Sequence, residues 1–244
     1  MINSIHKIVK VLLLPLGCAV IAAGFLWLLP AKGFMNPALA RIVVFHVPCS
    51  IVGLVATTVA TWFSIAYLWK RRLSDDIKAF ASFSWSLLFW ILTTVTGSVF
   101  SKAQWGAYWS WDIKQGSILL LLMVFVAYFA LRAAISDRRK AATIGAVYAI
   151  FALLAVPYLT LILPNSTPDT LHPKGTLEGG LDTRYNTVLW LDFLTVTLVY
   201  VWGFRLQVAI AEAGERLTAR RRVPGGATVR VETMERRPLE EGAS

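Results

Sequence analysis

Charge is scarce in this sequence, and so are the two residue types that most often build metal and redox sites. Only 16% of the residues are charged, and there are two cysteines and three histidines. A water-soluble globular domain carries about a quarter charged residues, so an ordinary cytosolic enzyme is excluded. The 57% apolar content excludes a disordered chain as well. Cys18 and Cys49 form neither a CxxC pair nor a CxxCH attachment site. A disulfide scaffold and a quinone-linked disulfide oxidase therefore lack their chemistry, and both thiols read as packing residues. No internal repeat of fixed period is present, nor an inverted repeat of Gly/Pro-broken helices.

Apolar length is what the sequence has in excess. Six apolar segments, about 11–29, 42–69, 79–100, 115–131, 141–163 and 187–210, are each long enough to cross a bilayer at about 20 residues per span. The expected fold class is an all-α integral membrane protein of six transmembrane helices. One membrane domain would occupy 1–210, followed by a mobile, basic tail over 211–244. The first segment follows Lys7 and Lys10 as a secretory signal would, but it outruns the roughly 7–15 apolar residues of a signal and no small-x-small cleavage site follows. It is read as a retained span.

A formal charge of +10 would suggest nucleic acid as a partner in a soluble protein; here the membrane accounts for it. Eighteen of the 24 Lys and Arg fall at the N-terminus, in the second and fourth loops, and in Arg205 and the tail. The other six, Lys32, Arg41, Lys102, Lys114, Lys174 and Arg184, lie on the opposite side. Lys and Arg are retained in the cytoplasm, so both termini are expected inside and the first, third and fifth loops outside.

The third loop, 101–114, concentrates the chemistry. Trp105, Tyr108, Trp109 and Trp111 fall within seven residues, followed by Asp112. One or two aromatics would be membrane-interface anchors; four exceed that need, although an aromatic belt seating the flanking helices is the plain alternative. If the loop is helical, Trp105, Tyr108, Trp109 and Asp112 share a face; if extended, Trp109 and Trp111 align. Either arrangement offers a wide, flat aromatic surface suited to a large planar ligand. Lys102 and Lys114 could meet anionic groups at its edge, as could Arg41, Lys174 and Arg184, each of which reads equally well as a solvated loop charge. Asp112 precedes an apolar helix and reads as its cap rather than as an acid or metal ligand. Asp192 lies inside the sixth segment, where a carboxylate is costly unless paired, with Arg184 or a neighbouring helix as its partner. Pro48, Pro157 and Pro164 are placed to bend or end helices near the outer face.

Two of the three histidines, His46 and His172, fall on the outer side with this loop, and His6 does not. Either alone would be a packed or solvated residue. As a pair flanking an aromatic surface they match six-coordinate haem iron, which takes one axial donor from each face. A zinc site would require a third ligand that the outer side does not supply.

Trp105, Gly106, Trp109, Trp111 and Asp112 resemble the tryptophan-rich WWD signature of haem-handling proteins of cytochrome c biogenesis. His46-Val47-Pro48 and Thr170-Leu171-His172 are similar to the two histidine sites of its CcmC branch, whose six-span length also matches. The resemblance covers Arg41 to about Leu206. It implies haem b as cofactor, with His46 and His172 as axial ligands of the iron. It also implies that Trp105, Gly106, Tyr108, Trp109, Trp111 and Asp112 hold the ring at the outer face of a bacterial inner membrane. The partners implied are a periplasmic haem chaperone of the CcmE type, a CcmAB-type ABC transporter and a small CcmD-type subunit. Tyr108 stands where many members carry a third Trp, and Ser110 to Lys114 are similar to the synthase-type wording of the motif. The favoured function is haem delivery without turnover. A haem or solute permease subunit and a component of a CcsA-like haem lyase are the alternatives.

Overall fold

In the computed structural model, which describes residues 2–167, 170–172 and 181–222, every regular element is helical. Helix α1 (Ile2–Ala22) runs on into a π-helical turn, Ala23–Trp27. A 3₁₀ turn, Leu39–Ile42, leads into α2 (Val43–Lys70), followed by α3 (Leu73–Trp105) and α4 (Ile113–Ala134). Helix α5 (Arg138–Pro157) continues through a second π-helical turn, Tyr158–Ile162, into the short α6 (Leu163–Ser166), and α7 (Thr183–Arg222) is the last of the described elements.

Among the described residues, five stretches are long and apolar enough to cross a membrane: Leu39–Lys70, Leu73–Trp105, Ile113–Ala134, Arg138–Ser166 and Thr183–Thr218. The first apolar segment lies in α1 and its π-helical turn, where the apolar stretch Val11–Trp27 is shorter. The helices extend beyond the apolar segments that predict them because polar first and last turns still close helical hydrogen bonds.

The centre of the bundle is the antiparallel pair α2 and α3, against which α5 and α7 pack. Small residues of α2 (Ala56, Ala60) and α5 (Ala149, Ala152) are fully buried where these helices meet, as close backbone approach requires in a membrane. Polar bonds reinforce the contacts. Ser82 Oγ donates to the Ala56 carbonyl at 2.7 Å, and Thr61 Oγ1 donates to the Ala149 carbonyl at 3.0 Å. Between the start of α3 and the end of α4, Arg132 donates two bonds, of 2.6 and 3.0 Å, to the buried Asp76 carboxylate, while its guanidinium lies over the Phe80 and Tyr128 rings. Gly145 makes room for it, because a Cβ there would come within 2.7 Å of the guanidinium.

Cys49 is buried in the core, consistent with a packing role; Cys18 is not, being exposed on α1. The expected tail from Val223 onward and Lys174 lie outside the described residues.

Candidate functional site

The third loop is neither a helix nor a strand. Helix α3 stops at Trp105 because Gly106 adopts a left-handed conformation (φ 83°), which glycine accepts without a Cβ clash, and its N–H closes the helix on the Lys102 carbonyl at 3.2 Å. The chain then turns irregularly until Asp112, which caps α4 by accepting the Lys114 N–H at 3.1 Å. Gln115 ties the turn from below: its Oε1 accepts the Ser110 N–H at 2.7 Å and its Nε2 faces the Tyr108 carbonyl at 3.5 Å. Trp111 is held at a positive φ of 56°, an uncommon conformation for a bulky side chain.

This turn disperses the aromatic residues instead of aligning them. Trp109 and Trp111 meet edge to face at 87°, so no single flat surface forms. Trp111 and Tyr108 point outward, 74% and 61% exposed, with the Lys102 ammonium over the Tyr108 ring. Trp105 points inward, its ring 5.2 Å from that of His172 and edge-on to Phe100. Trp109 alone of the loop aromatics lines a cavity of about 600 Å³ enclosed by α2, α3, α4 and the π-helical end of α5. That volume lies within the roughly 300–1,000 Å³ of small-molecule and cofactor sites.

His46 and His172 both line this same cavity. His46 projects from the first turn of α2, its Nδ1 3.0 Å from Thr96 Oγ1 on α3. Thr96 already donates its hydroxyl proton to the Leu92 carbonyl at 2.7 Å. It therefore serves His46 as an acceptor, which assigns the ring proton to Nδ1 and the lone pair to Nε2. The ring also depends on Gly97, where a Cβ would stand 2.9 Å from His46 Cε1.

His172 is placed by Asp112. The two carboxylate oxygens accept the Leu171 N–H at 2.8 Å and the Thr170 hydroxyl at 3.1 Å, fastening the Thr170-Leu171-His172 segment to the start of α4. Nδ1 of His172 then lies 3.5 Å from Asp112 Oδ2, too long for a formed hydrogen bond, and is a buried polar atom without a partner. Burial and the Lys114 ammonium push the His172 pKa down to about 4, with Asp112 pulling the other way, so the imidazole is neutral at neutral pH. For Asp112, burial opposes ionisation, but bonds from Leu171, Lys114 and Thr170 outweigh it and hold the carboxyl below its usual range.

Among the described residues, Lys114 is the one Lys or Arg that lines the cavity. Arg41 donates to the Phe25 and Ala38 carbonyls, and Lys102 to that of Gly106. Arg184 reaches the Trp27 carbonyl at 3.5 Å and lies over its indole, so it does not pair with Asp192, which is buried in α7. Pro157 sits where α5 gives way to its π-helical turn and Pro164 begins α6, so both shape the wall that carries Leu159, Thr160, Leu161 and Asn165 into the cavity. Pro48 is buried within α2.

Four residues of the site carry no distinctive sequence signal: Trp90, Thr93 and Gly97, which line the cavity from α3, and Thr96, which meets His46 from the same helix. Their roles depend on which helix faces which. No cluster of three or more His, Cys, Asp or Glu able to hold a bare metal ion occurs among the described residues.

A cavity with two imidazoles, an indole wall and one ammonium fits a planar, anionic metal complex better than it fits a free ion. Comparison with known proteins agrees in kind. The family model described as Heme exporter protein C matches residues 2–225. A protein of that name from Bradyrhizobium diazoefficiens is 27% identical over 172 residues, covering 69% of this chain and 65% of that one. Its namesake in Escherichia coli is 29% identical over 160 residues, covering 63% and 62%. The Rhodobacter capsulatus protein is 26% identical over 187 residues, covering 70% and 74%. The chain thus spans just under two thirds of the length of the first two relatives. With a match over nearly its whole length and several apolar spanning helices, it is a multi-pass membrane protein that belongs to the heme exporter protein C family.

Proposed function

We propose that this protein binds haem b at the outer face of a bacterial inner membrane and hands it to a periplasmic haem chaperone of the CcmE type during c-type cytochrome maturation. His46 and His172 are the axial ligands, approaching the iron from α2 and from the loop before α7. Val11–Trp27 acts as a sixth span, with both termini in the cytoplasm, as the distribution of Lys and Arg favours. The protein performs no turnover of its own and works beside a CcmAB-type transporter and a CcmD-type subunit.

One observation carries this reading: two histidines distant in sequence line one cavity, and Nδ1 of His46 is held 3.0 Å from Thr96 Oγ1. Metal-ligating histidines characteristically turn the second ring nitrogen to a carboxylate or other acceptor, and the tautomer that results offers Nε2 to iron. His46 and His172 would hold the haem iron, and imidazole ligation in both open positions would restrain oxygen chemistry during transfer. Within the turn, Trp109 supplies an apolar wall, Trp105 backs His172, and Gly106 with Asp112 sets the turn that places both. Tyr108 and Trp111 stay outside, where an acceptor protein would meet them. A lined polar path through the whole bundle, which a permease would need, is not favoured by spans so poor in charge.

The test is an absorbance spectrum of the purified protein, expressed with ample haem, beside His46→Ala and His172→Ala. Bands of a low-spin, bis-imidazole iron in the parent, and their loss or change in each variant, are the expected result. A parent without a Soret band refutes the reading. Attachment of haem to apocytochrome by the protein alone would favour the lyase alternative.

A further inference from the structure

A second concavity, a groove of about 400 Å³, lies between α3 and α7, lined by Trp85 and Leu88 from the first and by Gly203, Leu206, Gln207 and Ile210 from the second. It exists because Gly203 has no side chain: a Cβ there would run into the Trp85 ring, which rests against the α7 backbone. Leu88, Leu206 and Ile210 stand exposed at its rim, on two helices long and apolar enough to cross a membrane. The groove therefore opens to lipid, and whatever fills it is apolar over most of its length.

Its polar groups fall in a fixed order. The two helices run antiparallel, with Phe100 sharing a core with Val188 at one end and Trp85 meeting Gly203 further along. Gln207 comes one turn after Gly203 and brings an amide to the groove, whereas Ser84 turns its hydroxyl back to the Phe80 carbonyl at 2.8 Å. Lys78 follows, two turns before Trp85 and on the same side of α3. Its ammonium lies over the Phe63 ring of α2, 5.5 Å from the centroid, and Phe63 stacks on Phe204 of α7. Lys78 thus stands where α2, α3 and α7 meet, and among the described residues it makes no salt bridge. From Leu88 to Lys78 is about 15 Å along the helix, half of the roughly 30 Å hydrocarbon core and so the depth of one leaflet. An apolar trough, then an amide, then an ammonium is the polarity order of an acyl chain, its ester and its phosphate.

We infer that this groove is a site for one anionic phospholipid of the leaflet at the start of α3, the cytoplasmic leaflet on the orientation proposed above. The chain lies against Trp85 and over Gly203, the Gln207 amide donates to an ester carbonyl, and Lys78 meets the anionic headgroup. A spanning helix of another protein fits less well, because it would need a seam across the whole core, about twice this length. A lipid held there fills the space between α3 and α7 that Gly203 leaves open.

The test is native mass spectrometry of the full chain in detergent, titrated with phosphatidylglycerol or with phosphatidylcholine of the same acyl chains. The first phosphatidylglycerol is expected to bind about five-fold more tightly than the first phosphatidylcholine. Lys78→Met should cut that preference to about two-fold or less. Leu206→Trp, which fills the groove from its exposed rim, should weaken the first binding of both lipids at least about three-fold. Lys140→Met, on the exposed first turn of α5, should change neither, and circular dichroism should show each variant as helical as the parent. A parent without headgroup preference, or a preference that survives Lys78→Met, overturns the inference. So does one that Lys140→Met lowers as much, which would make it diffuse surface charge, and so does lipid binding that Leu206→Trp leaves intact. A doubled mass that Leu206→Trp abolishes would make the groove a contact between two copies, which equally overturns it. The titration uses no haem, so its failure leaves the haem reading standing, and the reverse holds as well.

Discussion

Asp112→Ala is the most informative single change, because that carboxylate joins the turn to the second histidine. The substitution removes the cap of α4, for which about 1 kcal/mol is typical. It also removes two charge-assisted bonds, to the Leu171 N–H and the Thr170 hydroxyl, that fasten the histidine segment. Hydrogen bonds to charged groups contribute about 1.5–3 kcal/mol each. Much of that is offset once the freed loop finds water, and loss of a residue that orients a metal ligand generally weakens affinity about 10–100-fold. A 10–100-fold weaker retention of haem is therefore expected, by titration of the detergent-purified protein. Asp112→Asn should fall between, since one oxygen remains to accept. The decisive comparison is the double variant with His172→Ala. If Asp112 acts by placing His172, removing both should cost little more than removing His172 alone. Costs that simply add, or an Asp112→Ala protein that retains haem like its parent, would refute the assignment and leave Asp112 a helix cap only.

The remaining predictions concern α3, the bundle and the loop aromatics. Gly97→Ala puts a methyl 2.9 Å from the His46 ring and should displace it. A shift of the iron bands towards high spin, with the helical circular dichroism unchanged, is the expected outcome, and an unaltered spectrum would show that His46 holds no iron. Asp76→Ala leaves the Arg132 guanidinium buried and unpaired, a change that costs about 3–5 kcal/mol; thermal unfolding in detergent should move markedly downward, whereas a shift within the scatter of surface variants would contradict the pairing. Trp109→Ala should lower haem retention because it opens the cavity wall, whereas Trp111→Ala, on an outward-facing ring, should leave retention intact and slow transfer to the acceptor chaperone. The reverse pattern in a retention and transfer assay would restore the flat platform expected from the sequence.

Much of the fold is legible in the sequence because its cause is one-dimensional. Apolar length marks the five helices long enough to cross a membrane among the described residues, with ends that fall one to eight residues short, and the Asp112 cap follows from its place before an apolar run. The first segment is read equally well as apolar, and it lies in α1 and the π-helical turn that follows, with an apolar stretch, Val11–Trp27, shorter than the others. What could not be read is whatever depends on which helix faces which. Thr96 is one hydroxyl among many until α2 lies against α3 and His46 Nδ1 comes within 3.0 Å of it. Arg132 counts in the sequence as one more inner-side cation, yet it crosses to Asp76 only because Gly145 of α5 leaves it a passage. Cys18 and Cys49 have similar apolar neighbours in sequence, and only the packing separates the buried one from the exposed one.

The aromatic motif shows why periodicity misleads at a helix end. Alignment of its side chains, helical or extended, presumes that the backbone keeps one conformation from Trp105 to Asp112, and two residues break that premise. Gly106 at φ 83° and Trp111 at φ 56° are both left-handed, so the backbone changes course twice within six residues. Each reversal sends the next aromatic in a new direction: Trp105 behind His172, Trp109 into the cavity, Trp111 out to solvent. A flat platform would use the indoles interchangeably, whereas this turn gives each a separate task and ends with the Asp112 carboxylate against the Thr170–Leu171 backbone. The spacing of the motif therefore encodes a turn that builds one wall of a cavity and anchors a histidine from another loop. On this geometry Gly106→Ala, which strains the first reversal by about 1 kcal/mol or more, should disturb haem retention as much as loss of an indole does. A Gly106→Ala protein that retains haem as the parent does would mean that the first reversal is incidental to the site.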